Sequence, residues 1–327
     1  MRAVIAPVAG PASTMEMRDV PAPEPDPGQV VVDVAAAGVN FIDTYRRSGV
    51  YQVDYPHRVG AEGAGHVVDV GPGVTGVAVG DRVAWCAAPG SYAERVAVDA
   101  ADLYAVPADV DLTVAAAAML QGLTAHYLCT SSYAVADGHT VLVHAGAGGV
   151  GLLLTQMAVN RGARVITTVS TAEKEALSRG AGAAEVIRYD RFADMASELP
   201  TRVRELTDGE GVDVVYDGVG AATFDGSLAS LAVRGTLVLF GGASGQVTPF
   251  DLQRLNAGGS LTVTRPTLEH FLRTPEERAW RSQELFAGIA DGSLDVRIGA
   301  TYQLGEARAA HEALEGRTTT GKVLLLP

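Results

Sequence analysis

Cysteine is nearly absent from this chain: Cys86 and Cys129 are the only two in 327 residues. That excludes a disulfide framework and makes a reducing cytoplasm the expected compartment. Positive charge is also short. Lys and Arg number 25 against 38 Asp and Glu, for a formal net charge of -13 and a pI near 4.9. With no basic run either, a duty built on phosphate-backbone contacts is not expected, and no nucleic-acid partner is assigned. Signal-like and membrane-spanning runs are missing too. The opening Met1–Pro7 carries one charge and then meets Pro7 and Gly10, without the apolar core of a signal peptide. The uncharged tract around residues 139–160 is interrupted by His144, Thr155 and Gln156, so it reads as a core element rather than a membrane span. What remains is 47% apolar and 19% charged, an ordinary globular composition long enough for about two domains.

One stretch organises the rest. His139-Thr-Val-Leu-Val-His144 is a short valine-rich run, as a strand buried on both faces requires. Gly146, Gly148 and Gly151 then form G-x-G-x-x-G at the turn out of that strand, with Gly149 and Val150 between them. Leu152, Leu153, Met157 and Ala158 pattern a helix, Gly162 takes the place of a C-cap glycine, and Ala163–Ser170 makes a second strand. Alone, such a glycine pattern is weak, because most glycine-rich loops are only loops. With a strand before it and a helix after it, dinucleotide binding is the better reading. Glycine permits the tight bend and lets backbone approach a pyrophosphate, while the helix aims unpaired N–H groups at the phosphates.

Residues 1 to about 110 read as mostly β. Val4-Ile5, Val30–Val34, His66–Val70, Arg82–Trp85 and Arg95–Val98 are short β-type runs separated by Pro/Gly punctuation such as 21–28 and 71–73. This spacing suggests a compact barrel-like domain. Ala115–Leu120 and Leu123–Leu128 read as two helices leading into the nucleotide unit. Strands at 184–188, 212–216 and 235–240 then alternate with helices, which predicts a parallel sheet covered on both faces. A long helix pattern over Glu276–Ile289, a second over Glu306–Glu315 and the run Lys322–Leu326 close the chain, the last strand returning to the first domain.

Taken together, Gly38–Tyr45, Gly60–Gly65, Gly80–Val83, Gly122–Ala125, the glycine turn, Val214–Gly220 and Val263–Pro266 resemble the zinc-independent medium-chain dehydrogenase/reductase family. The resemblance is strongest to its NADPH:quinone oxidoreductase branch, the relatives of ζ-crystallin, and runs in order over nearly the whole chain. It implies an α/β fold: a discontinuous GroES-like β-rich catalytic domain (1–122 and 267–327) and a doubly wound Rossmann domain (123–266). It also implies a cleft between the two and a homodimer formed through the Rossmann sheet edges. Zinc-using relatives are similar but carry a cysteine where Ala37 stands and a histidine where Ala61 stands. A catalytic zinc needs three protein ligands and an open position. No metal is expected here, and two cysteines cannot supply a four-cysteine structural site.

An NAD site usually ends its second strand in an acidic residue that bonds the ribose 2′-OH. Here that strand ends in Val169-Ser170-Thr171, with Lys174 one helical turn on. On spacing alone a solvated helix lysine is the better reading of Lys174. The family, however, uses a lysine in this place for NADPH, which turns the expectation to NADP(H), with Ser170 and Tyr189 beside the adenosine phosphate. Glu173 departs from the family pattern and works against that preference. The resemblance also implies that Thr124, Gly241 and Asn256 line the nicotinamide, that Arg317 reaches the cofactor, and that Arg265 is structural.

Without a Lewis acid, an already electrophilic acceptor is expected: a quinone, or else a conjugated alkenal or enoyl substrate. Hydrogen-bond donors then suffice to hold its oxygen while a hydride or single electrons arrive. Asn40, Tyr45 and Tyr51 are the candidate donors, with Tyr51 reading equally well as a packing aromatic. From a different class, a crystallin-like structural or RNA-binding role is the alternative, which the acidic balance disfavours.

Overall fold

The computed structural model describes residues Met1–Pro327. The chain divides into two units, Met1–Gln121 with Ser282–Pro327, and Gly122–Arg281. The first boundary falls beside the expected residue 122. The second falls at 281 rather than 266, because the intervening segment packs on the second unit. Phe271 stacks on Tyr127 at 4.4 Å. The buried Arg281 guanidinium donates to Phe271 O and Ser131 Oγ (both 2.9 Å) and to His126 Nδ1 (3.0 Å).

The first unit begins with β1 (Arg2–Ala6), β2 (Glu16–Asp19) and β3 (Gln29–Val39), then α1 (Phe41–Ser48) and β4 (His57–Arg58). It continues with β5 (Glu62–Val70), β6 (Arg82–Trp85), β7 (Arg95–Asp99) and β8 (Tyr104–Ala105), and α2 (Leu112–Tyr127) leads out of it. Strand β3 outruns the valine-rich stretch that predicts it. Its second half, Ala35–Val39, has weak β propensity, but Ala37 and Gly38 pair with Gly63 and Glu62 on one side and with Leu325 and Leu324 on the other. Sheet pairing overrides propensity there. The core on this sheet includes Val30, Val32, Val83, Trp85, Tyr92, Val96 and Leu325, each fully or nearly fully buried. Burying one such aliphatic side chain contributes about 1.5–3 kcal/mol.

The two helices expected at 115–120 and 123–128 are one, α2, which runs on as a π-helical turn over Leu128–Ser132. Gly122 sits mid-helix and buried, so close packing offsets its propensity cost of about 1 kcal/mol. Leu112–Ser132 is long and apolar enough to cross a membrane, but 72% of that window is buried inside the protein. Its apolar surface is already taken up by the core.

The second unit alternates β9 (Thr140–Val143), α3 (Gly149–Val159), β10 (Arg164–Val169), α4 (Ala172–Gly180), β11 (Glu185–Arg188), α5 (Met195–Leu206), β12 (Val212–Asp217), α6 (Phe224–Ala229), β13 (Leu231–Leu239), α7 (Gln253–Ala257) and β14 (Thr262–Thr264). All pairings are parallel, in the order β11-β10-β9-β12-β13-β14. This is the doubly wound order whose direction reverses between the first and fourth strands, here β9 and β12. Leu142, Ile166, Val215, Leu199 and Leu237 are fully buried on this sheet. After α8 (Pro275–Ala290), β15 (Ile298–Gln303), α9 (Ala307–Glu315) and β16 (Lys322–Leu326) complete the chain. β16 returns antiparallel to β3 in the first unit.

Candidate active site

Ligands of doubly wound sheets bind beyond the carboxyl ends of the strands, where the order reverses. The glycine turn leaves β9 at that point. Ala145 is held in the left-handed region at φ 52°, Gly146 N–H donates to Thr168 O at 3.0 Å and Gly148 N–H to Ala145 O at 2.8 Å. A Cβ on Gly146 would meet Thr167 Cβ at 2.6 Å, and one on Gly151 would meet Ala145 O at 2.3 Å. Both are glycine because the turn and helix pack too closely for anything larger. Gly148 differs: a Cβ there would meet only Ala145 O, at 3.2 Å. Its missing side chain leaves open space at the start of α3, where the N–H groups of Gly149, Val150 and Gly151 have no intrahelical acceptors. These residues fit a pyrophosphate.

Ser170 and the Thr171 cap follow β10, and Thr171 Oγ1 accepts the Lys174 N–H at 3.2 Å. Lys174 is half-buried in the first turn of α4, whereas Glu173 is exposed. On the neighbouring strand Arg188 lies in register with Val169 and pairs with Asp190 at 2.8 Å, just before the half-buried Tyr189. The end of β10 itself carries the Ser170 and Thr171 hydroxyls and no carboxylate, while Arg188 on the neighbouring strand is paired with Asp190 and lies 3.8 Å from Glu175.

Across the switch point lies a buried polar network that sequence reasoning missed. Ser227 Oγ donates to Asp217 Oδ2 at 2.8 Å, and His144 Nε2 lies 2.9 Å from the same Ser227 oxygen. Ser227 has one proton to give, so His144 donates through Nε2, and its Nδ1 accepts from Thr168 Oγ1 at 2.9 Å. Asp217 Oδ1 also accepts the N–H groups of Val219 (2.8 Å) and Gly220 (3.0 Å) and the Thr223 hydroxyl (2.9 Å). Burial pushes the His144 pKa down, with Asp217 opposing it. The neutral imidazole thus ties the loop after β12 to the ends of β9 and β10. The available signal was a histidine at the end of an otherwise apolar strand. Gly241 closes on the same loop, where a Cβ would meet Gly218 O at 2.3 Å. Thr124 is buried in the second half of α2, and Asn256 is exposed on α7.

In the first unit, Asn40 caps α1 and is nearly fully buried. Its Nδ2 donates to Glu62 Oε2 at 2.7 Å, and its Oδ1 accepts from Lys322 Nζ at 2.8 Å. Lys322 also bonds Glu62 Oε2 directly, while Glu62 Oε1 accepts the Leu120 N–H at 2.6 Å. Most of the Asn40 amide thus bonds within the protein, which leaves one Nδ2 proton whose only partner is Gly38 O at 3.4 Å. Tyr45 and Tyr51 pack ring against ring at 5.3 Å, Tyr45 half-buried and Tyr51 36% exposed. Arg317, also in this unit, is exposed after α9 in the left-handed region at φ 56°. Ala37 and Ala61 are buried, and no group of three or more His, Cys, Asp or Glu side chains converges as a metal site.

A six-stranded parallel sheet with a glycine cradle at its switch point defines a dinucleotide-binding unit, here joined to a β-rich partner unit. The family model of the alcohol dehydrogenase GroES-like domain matches residues 26–108, and that of zinc-binding dehydrogenases matches 149–281. A quinone oxidoreductase of Pseudomonas aeruginosa is 45% identical over 320 residues, covering 97% of each chain. A 2-haloacrylate reductase of a Burkholderia species is 41% identical over 337 residues, covering 100% of this chain and 99% of its own. A mycobacterial protein solved in complex with NADPH is 54% identical, with a TM-score of 0.97 and full coverage of both chains. The chain belongs to the medium-chain dehydrogenase/reductase family, in its zinc-independent quinone oxidoreductase branch.

Proposed function

We propose that this protein is an NADPH-dependent quinone oxidoreductase. The observation that carries the reading is the cradle at the β9–β12 switch point with Ser170 and Lys174, not a carboxylate, ending β10. The names of its relatives support the same activity, and the NADPH in the mycobacterial structure supports the cofactor. Gly146–Gly151 and the first turn of α3 hold the pyrophosphate. Lys174, with Ser170 and Tyr189, holds the 2′-phosphate by charge-assisted hydrogen bonds. Thr124, Gly241 and Asn256 serve the nicotinamide end, and Arg317 is a further cofactor contact.

When bound, the reduced nicotinamide supplies a hydride, two electrons with one proton, to the acceptor. The protein's part is to hold both reactants and exclude water. Tyr45, Tyr51 and the remaining N–H of Asn40 hold the acceptor oxygen and steady the charge arriving there. A quinone so reduced takes its second proton from water, so no buried general acid is assigned. The reading includes a cytoplasmic homodimer joined through β14, one of the two edges of the parallel sheet, β11 being the other. Edge strands left unpaired invite such pairing. Val233 (76% exposed) and Leu252 (69% exposed) lie on the segments around that edge.

A second reading, reduction of a conjugated C=C bond, is favoured by the 2-haloacrylate reductase among the relatives. Turnover of 1,4-benzoquinone and of a simple alkenal with NADPH, measured side by side, tests the two. Faster quinone reduction is expected. Faster alkenal reduction reverses the order.

A further inference from the structure

We propose that Lys322 is a positioning residue for the acceptor end of the reaction: with Glu62 it fixes which way the Asn40 side-chain amide faces, and so aims that residue's remaining N–H. The proposal rests on the reading that Asn40 serves the acceptor.

A planar amide can turn by half a rotation at almost no steric cost, and its two faces differ only in which end donates. Here the surroundings choose. Lys322 can only donate, and it takes Oδ1 at 2.8 Å. An ionised Glu62 can only accept, and it takes one Nδ2 proton at 2.7 Å. The flipped amide would set N–H against ammonium and carbonyl against carboxylate. In a site where Glu62 and Lys322 are 0% and 1% exposed, both contacts would be repulsive and unscreened.

The chosen orientation leaves one Nδ2 proton, whose only partner in the chain is Gly38 O at 3.4 Å. That is beyond the 2.7–3.2 Å of a firm N–H···O bond. Of the two protons on the Asn40 amide, it is the one without a firm acceptor inside the protein. Glu62 is itself fixed from the other side by the Leu120 N–H at 2.6 Å, so the carboxylate cannot swing to follow the amide.

Two further observations show a built arrangement. A Cβ on Gly38 would meet Glu62 Oε2 at 2.2 Å and Lys322 Cε at 2.7 Å, so the strand carries glycine where the ion pair crosses it. The chain also contains only two lysines, Lys174 and Lys322; every other Lys or Arg position is arginine. A compact ammonium on a slender stem bonds both Asn40 and Glu62 from beneath β3.

The test uses the full-length protein with NADPH and 1,4-benzoquinone. Lys322→Met alone leaves a buried carboxylate unpaired and risks unfolding, so the charge-neutral pair E62Q/K322M is made beside it. N40A and the triple variant complete a cycle, with thermal melts confirming the fold. N40A lowers kcat by roughly ten- to a hundredfold, the scale of a lost donor to developing negative charge. E62Q/K322M lowers kcat by about tenfold with the NADPH KM unchanged, as for loss of an orienting partner. The triple variant is no slower than N40A, because the pair acts through the amide. Wild-type kcat in folded E62Q/K322M, with N40A slow, overturns the role of Lys322 and leaves the acceptor site standing. Wild-type kcat in N40A overturns both. A triple variant slower than N40A by the full tenfold also overturns the proposal, since the pair would then act independently of Asn40.

Discussion

Three glycines of one turn answer to different constraints, and a single methyl group separates them. At Gly146 and Gly151 the methyl would press on Thr167 Cβ at 2.6 Å and Ala145 O at 2.3 Å. Alanine there displaces the strand or the helix start, at about 1–3 kcal/mol. At Gly148 the backbone is ordinary for any residue (φ -79°, ψ 169°), and the methyl meets one oxygen at 3.2 Å. Gly148→Ala therefore costs about 0.5–2 kcal/mol, the disadvantage of alanine against glycine at an N-cap, and the protein still folds. The methyl instead projects into the open space that the proposed function gives to the pyrophosphate. NADPH affinity, followed by nicotinamide fluorescence, falls by at least about tenfold, or 1.4 kcal/mol. Unchanged affinity in a folded Gly148→Ala protein would remove the cradle from the cofactor site.

Between α1 and α9 the first unit buries a second set of ionisable groups, and their titrations oppose one another. Tyr92 OH donates to Asp43 Oδ2 at 3.0 Å and accepts from His311 Nε2 at 3.1 Å, while Arg47 donates to His311 Nδ1 at 3.0 Å. Burial raises Asp43 from 3.8 to about 6, against the Asn40 N–H, Arg46, Tyr92 and Lys322, which lower it. Burial, aided by Arg47, lowers His311 from 6.5 to about 3. Between pH 4 and 6 the folded network carries its proton on the carboxyl, and the unfolded chain carries it on the imidazole. The stabilisation from a neutral Asp43 is fully present below its unfolded pKa and is lost as pH rises through about 6. That from a neutral His311 is present above its unfolded pKa and is lost as pH falls toward about 3. Over the shared window the slopes cancel. Replacing one partner exposes the other. Asp43→Asn makes stability rise by about 3 kcal/mol from pH 4 to 6, and His311→Gln makes it fall by a similar amount, two pH units at 1.36 kcal/mol each. Urea unfolding across that range measures both, and parallel slopes in the two variants would refute the opposition.

Elements like these also mark what the sequence disclosed. The glycine turn, the alternation after Ser170 and the final strand Lys322–Leu326 were legible because each has a local pattern: glycine spacing, a run of valines, a terminal apolar run. Asn40, Tyr45 and Tyr51 are proposed from the resemblance alone, since nothing local distinguishes a capping asparagine from an acceptor-binding one. The Glu62–Lys322 pair joins residues 260 apart, and His144 meets Ser227 across 83. No period or spacing in one sequence reports a pairing of that range. Gly122 misled in the opposite direction, because its helix-breaking propensity is local and the burial that overrides it is not.

For the whole molecule, the proposed pairing of two chains through β14 makes a prediction about mass and stability together. β13 is protected on one side by β12 and on the other by β14, but β14 has a partner on one side only. At three residues it is also short, which limits the main-chain bonds a second copy can add. Apolar contact must then supply much of the association, and the exposed Val233 and Leu252 are the side chains available for it. Val233 packs against Gly259 in the turn that leads into β14, so it is fixed relative to that edge. Burying two such side chains on each copy contributes about 1.5–3 kcal/mol apiece before association costs. Wild-type protein should therefore sediment at twice 33.8 kDa. V233E/L252E places four like charges in that interface and should sediment as a monomer, with a melting temperature that no longer depends on protein concentration. Because the cradle, His144 and Asp217 all lie within one chain's second unit, the monomer should still bind NADPH. A dimer that survives both substitutions would move the interface away from β14.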